Sequence, residues 1–220
     1  MSLDYKNCIN FAIPYLPKDS LVIDVGCNID PIVELNNAEW VENWNDDFTF
    51  LILKNLNEAK CIGIEPLHWK TYENRWKNDS RVDLLKLGLS DKNGIEKIFF
   101  PGVHHVISSF YMQECFSNYN VKEQEIECKT LDTLCLEIGL EKIDYLKIDT
   151  EGAEYKILSG ARNLLQKQKI TFIQFEYGLP DKNIPSVELI YQLLEEYEYK
   201  KVLVSGREQL WTNQDTYSKV

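Results

Sequence analysis

Leu21-Val22-Ile23-Asp24-Val25 is short, β-branched and bounded by Asp19-Ser20 and Gly26, which suits a strand and leaves no room for a helix of ordinary length. Its near-continuous apolar character means that both faces are covered, the mark of a strand inside a parallel sheet. Cys61-Ile62-Gly63-Ile64 repeats the pattern and ends at Glu65-Pro66, where proline's fixed φ and missing N–H stop a ladder. Ile143 to Ile148, closing on Asp149, and Ile170 to Phe175 are further runs of this kind. Between the runs the period changes. Phe48, Leu51, Ile52 and Leu56 recur at mostly three- and four-residue spacing, and Ile157, Leu158, Ala161, Leu164 and Leu165 lie on one helical stripe across 153–165. Strand and crossover helix in alternation predict an α/β fold, a doubly wound and mostly parallel sheet with helices on both faces.

The remaining segments extend this plan. Val82 to Leu89 reads as a third strand, and Asp91-Lys92-Asn93-Gly94 as a turn into Ile95 to Phe100, a hairpin extension. Val187 to Tyr197 has helical spacing. Lys201 to Val204 and Gln209 to Trp211 form a closing antiparallel pair around Ser205-Gly206. Residues 31–45, with Trp40 and Trp44, read as extra material in a connection, a lid or a surface excursion, and residues 1–19 as an N-terminal segment. With 220 residues, 44% of them hydrophobic, the chain supports one sizeable core, so a single domain over 1–220 is expected.

Charge and cysteine usage narrow the partners. The chain carries 24 Lys and Arg against 35 Asp and Glu, a formal net charge of −11, with the basic residues scattered. Such a surface repels phosphate backbones and anionic lipid, so no nucleic acid is expected as partner. The six cysteines contain no C-x-x-C pair and read as reduced thiols in a cytoplasmic protein. No apolar run is long enough to span a bilayer. No ligand spacing demands a metal, and none is expected. Oligomeric state is not readable from the sequence.

In an open parallel sheet, ligands bind beyond the carboxyl ends of the strands. After the first strand comes Asp24-Val25-Gly26-Cys27-Asn28-Ile29-Asp30. Gly26 allows a tight turn against a ligand, and Asp24 can hold a hydroxyl or an ammonium group. The loop lacks the G-x-G-x-x-G fingerprint, and its carboxylates oppose a pyrophosphate. Glu65 ends the second strand, where a carboxylate can accept from both hydroxyls of a ribose. Together the two loops suit a nucleoside with a positive centre and no phosphate. Asp149 and Glu151 follow the Ile143 strand as candidate proton acceptors. Alternatively they complement the dipole of the next helix together with Glu154, Asp149 serving as its cap. His104 and His105 are further candidates for a general base. Glu176, after the Ile170 strand, faces the same rim.

Asp144-Tyr145-Leu146-Lys147-Ile148-Asp149-Thr150-Glu151-Gly152-Ala153-Glu154, followed by Leu158 and Gly160-Ala161, is similar almost residue for residue to the signature of FkbM-type methyltransferases. Leu21 to Asn28, Gly63 to Pro66, Leu87 to Gly94, Ser108-Ser109 and Thr130-Leu131-Asp132 occur in that family's order. The resemblance implies the class I methyltransferase (Rossmann-like) fold, with a seven-stranded sheet and an antiparallel C-terminal pair. It also implies S-adenosylmethionine as donor and O-methylation of a small-molecule acceptor, a sugar, lipid or natural-product hydroxyl. Carried over by position, Asp24, Gly26 and Asn28 lie near the methionine end, Glu65 and Pro66 by the ribose, and Leu89, Ser90 and Asp91 by the adenine. Asp149, Glu151 and His105 are then the catalytic candidates. Asp30-Pro31 stands where the family usually has a second glycine, and the connection after it is longer. That departure motivates an alternative, a binding module that keeps the fold without catalysis. A nucleotide-dependent oxidoreductase on the same sheet is disfavoured by the missing glycine fingerprint.

Overall fold

The computed structural model describes residues 4–27, 47–102, 108–177 and 181–214. Tyr5, Cys8, Ile9 and Ala12 are all buried, and their spacing puts them on one face of a helix that the sequence pattern left unassigned, α1 (Asp4–Ala12). A 3-10 turn at Ile13–Tyr15 closes it. The strand expected after it, β1 (Leu21–Val25), is followed by α2 (Phe48–Asn55). Asp47 caps α2 by accepting the Phe50 N–H at 2.6 Å. Then come β2 (Lys60–Ile64), α3 (Trp69–Trp76) and β3 (Val82–Leu85).

The expected Val82–Leu89 strand is two strands in different sheets. After β3 the chain leaves the main sheet, and β4 (Gly88–Leu89) pairs in parallel with β6 (Val121–Lys129). A β-carbon at Gly88 would come within 2.8 Å of Cys128 Sγ and 2.9 Å of Ile126 Cδ1, so the missing side chain permits the close approach. The Asp91–Gly94 turn leads into β5 (Gly94–Pro101), but the turn does not form a tight hairpin. β4 and β5 both pair with β6, the latter antiparallel from Gly94↔Cys128 to Pro101↔Val121.

Thr130 caps α4 (Leu131–Glu137) through the Thr133 N–H. Every residue of β7 (Ile143–Ile148) is buried. The single helix expected over 153–165 is broken into α5 (Glu154–Ser159) and α6 (Arg162–Gln166). At the break, a β-carbon on Gly160 would lie 2.2 Å from the Ser90 carbonyl oxygen. The Asp132 carboxylate of α4 accepts the Asn163 and Leu164 N–H groups, so α6 starts on a cap from another helix. β8 (Ile170–Glu176), α7 (Val187–Glu196), β9 (Lys200–Ser205) and β10 (Glu208–Thr212) complete the order as expected.

The main sheet runs β3-β2-β1-β7-β8-β10-β9, parallel except for β10, which pairs antiparallel with both β8 and β9. This is the α/β architecture anticipated, seven strands with an antiparallel C-terminal pair. One face, through Val22, Tyr145, Phe172 and Leu210, packs on α1 and α2. The other, through Ile23, Ile148, Ile173 and Trp211, packs on α4, α5, α6 and α7. Strand order reverses at β1, which lies between β2 and β7, and the crevice beyond the ends of β1 and β7 is the switch point where such sheets bind ligands. Among the described residues no helix is long and apolar enough to cross a membrane.

Candidate functional site

Pleating sends Val22 and Asp24 to one face of β1 and Ile23 and Val25 to the other. Asp24 pairs in register with Lys147 of β7, and both are almost wholly buried on the face covered by α2. Lys147 Nζ lies 3.6 Å from Asp24 Oδ1 and 3.1 Å from Asp149 Oδ2. From α2, Thr49 Oγ1 lies 3.4 Å from Asp24 Oδ2 and 2.8 Å from the Tyr72 hydroxyl. Asp24 Oδ1 has no hydrogen-bond partner among the described residues. Burial pushes the Asp24 carboxyl above its ordinary value, against the opposing pull of Lys147. For Lys147, burial alone would lower the ammonium, but Asp149, Asp24 and Glu208 outweigh it and hold the lysine charged.

Gly26 makes the turn at the switch point. Its φ is +77°, and a β-carbon there would sit 1.9 Å from the Asp149 carbonyl oxygen. The ends of three strands are tied at this point, by Gly26 N to Ile64 O at 2.9 Å and Asp149 N to Val25 O at 3.0 Å. On the β2 side, Glu65 is buried, and its Oε1 accepts the Leu67 and His68 N–H groups at 2.8 and 2.9 Å. These bonds aim the carboxylate and shape the turn through Pro66 into α3. Burial raises the Glu65 carboxyl, the two N–H donors oppose that, and the Asp24 charge adds to the rise. The predicted Asp24, Gly26 and Glu65 are thus brought to one rim.

Ser90 is fully buried, with its Oγ 2.6 Å from Glu96 Oε1 and 3.1 Å from Asp91 Oδ1, while Asp91 is exposed. Leu89 is buried beside it. The Ser90 hydroxyl is engaged within the protein, in a chain continued by Lys156 Nζ to Glu96 Oε2 at 2.6 Å. Asn28, His104, His105 and the 31–45 connection lie outside the described residues.

Beyond β7 and β8 stand Asp149, Glu151 and Glu176. Glu151 adopts a left-handed backbone, φ +52°, held by two donors to its carbonyl oxygen, Ser109 Oγ and Gln113 Nε2, each at 2.7 Å. Burial, then the charges of Asp149, Glu176 and Glu154, push its carboxyl up to about 7, with Arg207 opposing. Arg207 also pairs with Glu176. Asp149 is not the cap of the next helix: Ala153 holds the N-cap position with no side-chain cap, and Glu154 Oε1 instead ties down the preceding turn, accepting from Thr150 N, Thr150 Oγ1 and Gly152 N at 3.0–3.1 Å. Sequence reasoning missed Lys147, Thr49, Gln113 and Arg207. Only Lys147 carried a signal, a charge between Leu146 and Ile148 in a run read as buried strand.

Residues 24–201 match the model of the methyltransferase FkbM domain. The chain is 24% identical over 200 residues to a 2-O-methyltransferase, NoeI, of Sinorhizobium fredii (strain NBRC 101917 / NGR234), covering 79% of this chain and 74% of that protein. A solved FkbM methyltransferase from Methylobacillus flagellatus KT superposes with a TM-score of 0.52 at 15% identity, over 89% of this chain, which spans only 44% of that one. A precorrin-6y C5,15-methyltransferase structure from Geobacter metallireducens GS-15 gives a TM-score of 0.41 at 10% identity, over 92% of this chain and 83% of that one. The family match begins at Asp24, the carboxylate at the switch point, and runs through Glu65, Asp149 and Glu151: this chain belongs to the FkbM methyltransferase family.

Proposed function

We propose that the chain transfers the methyl group of S-adenosylmethionine to a hydroxyl of a sugar or another small metabolite. The observation that carries this reading is Asp24 Oδ1, a buried carboxylate oxygen at the switch point that lacks a hydrogen-bond donor among the described residues. A buried acceptor of this kind calls for a partner, and a cationic ligand satisfies both its lone pair and its charge. The donor's ammonium group would pair with Asp24 and its ribose hydroxyls with Glu65, beside the tight backbone turn at Gly26 that packs against the Asp149 carbonyl. Asn28, Pro66, Ser90 and Asp91 are proposed to complete the donor pocket.

When bound, S-adenosylmethionine supplies an electrophilic methyl group on a sulfonium. The chain's own residues orient the acceptor and receive its proton. Glu151, with its carboxyl at about 7, is poised to accept a proton near neutrality. Asp149 lies between it and Lys147, and His105 is a further candidate for the same role. Alignment of the attacking oxygen contributes more than the base in such displacements. Support for a hydroxyl acceptor comes from the 2-O-methyltransferase relative.

Calorimetry with S-adenosylmethionine and S-adenosylhomocysteine, with NAD as control, tests the reading. Asp24→Ala and Glu65→Ala are expected to abolish donor binding while circular dichroism stays that of the folded chain. Unchanged affinity in both variants would remove these loops from the donor site.

A further inference from the structure

Lys147 is the penultimate residue of β7, where its neighbours Leu146 and Ile148 are fully buried, and an ammonium so placed is retained only with compensation. The two carboxylates in ion-pair range of it come from neighbouring strands, Asp24 near the end of β1 and Asp149 just past the end of β7. At 3.6 Å the ammonium is within ion-pair range of Asp24 Oδ1 but beyond an ordinary hydrogen bond. It therefore supplies charge to that oxygen without occupying its lone pair, which stays available for a ligand. We propose, resting on the donor reading above, that Lys147 is a positioning residue. It keeps Asp24 ionised and open, so that donor affinity is level across neutral pH.

The charge balance explains the need. Lys147 with Asp24 and Asp149 carries a net charge of about −1, which a cationic donor neutralises. The other groups bearing on this ammonium are themselves engaged. Glu208 of β10 accepts from Gln174 Nε2 at 2.7 Å, Glu176 of β8 pairs with Arg207, and Asp47 before α2 pairs with Arg75. From α2, the Phe48 ring lies 5.7 Å from Nζ, and Thr49 lies beside Asp24. Without Lys147, no cation among the described residues stands between Asp24 and Asp149. Asp24 would then take up a proton, and the donor would have to displace it.

The test compares wild type with Lys147→Met and Lys147→Arg. Carboxyl NMR of the ligand-free chain reads the Asp24 midpoint, and calorimetry with S-adenosylmethionine is run between about pH 6 and 8 in two buffers of different ionisation enthalpy. In Lys147→Met, the Asp24 midpoint is expected to move up by about one pH unit or more. Donor affinity in that variant should fall as pH is lowered, by up to about tenfold per pH unit, with a proton released on binding. Lys147→Arg is expected to restore the wild-type midpoint and slope. A wild-type midpoint in Lys147→Met overturns the proposal. If that variant does not fold, the wild-type chain still decides, because an Asp24 midpoint above neutrality overturns it as well. Failure of the wild-type chain to bind S-adenosylmethionine at all would defeat the donor reading instead, and the NMR comparison would judge Lys147 independently.

Discussion

A β-carbon added at Gly26 would meet the Asp149 carbonyl oxygen at 1.9 Å, a backbone atom that cannot swing away as a side chain can. The left-handed φ of +77° adds about 1–2 kcal/mol for any residue with a β-carbon. Gly139 has a similar φ of +72° with nothing within 4 Å, so it isolates the backbone contribution. Gly139→Ala should therefore lose about 1–2 kcal/mol in urea unfolding, and Gly26→Ala distinctly more, together with donor binding. Equal losses would mean that the β1 and β7 ends separate freely, which the Asp149 N to Val25 O bond at 3.0 Å argues against. The residues legible in the sequence at this scale were those that end a strand, Asp24, Gly26, Glu65 and Asp149. Lys147 escaped because a strand buried on both faces is read as apolar throughout, and a charge inside it makes sense only once Asp24 is known to lie in register beside it.

At the scale of elements, β1, β2, β7 and β8 were readable because burial on both faces leaves near-continuous apolar runs. β6 was not, since only Ile126 and Cys128 of its nine residues are buried and most of the rest are exposed Lys, Glu and Gln. α3, with sequence WKTYENRW, buries Thr71 and Tyr72 and shows little apolar stripe. The split of 153–165 into two helices depends on a tertiary contact that no local pattern reveals, the seating of Gly160 against Ser90. The same junction yields a prediction. Asp132 accepts the Asn163 N–H at 2.9 Å and the Leu164 N–H at 3.0 Å, groups at the start of α6 that have no partner earlier in their own helix. Asp132→Ala should cost about 1 kcal/mol, as a lost helix cap does, and Asp132→Asn clearly less. A shift in the urea midpoint measures both, and identical losses would show that charge rather than the hydrogen bonds carries the effect.

Across the whole molecule, buried acidic groups around the candidate site oppose the stability of the fold at neutral pH. Glu151 and Glu208 both have carboxyls pushed up to about 7, burial being the largest cause for each. Each folded carboxyl thus lies above its ordinary value of 4.5, so between that value and about 7 the folded state binds more protons than the unfolded one. Their contribution to stability is present in full below the unfolded value and is lost as pH rises through the folded one. The proton acceptance proposed for Glu151 runs the other way, because only its ionised form can take a proton from an acceptor hydroxyl. Activity should therefore climb as stability declines over the same interval. Glu151→Gln separates the two: its melting temperature is expected to fall less than the wild type's between about pH 5 and pH 8, while kcat drops by about a hundredfold or more. Thermal unfolding at the two pH values reads the first effect without any substrate, and an unchanged pH dependence in the variant would place the Glu151 carboxyl in solvent rather than in the charged crevice formed with Asp149 and Glu176.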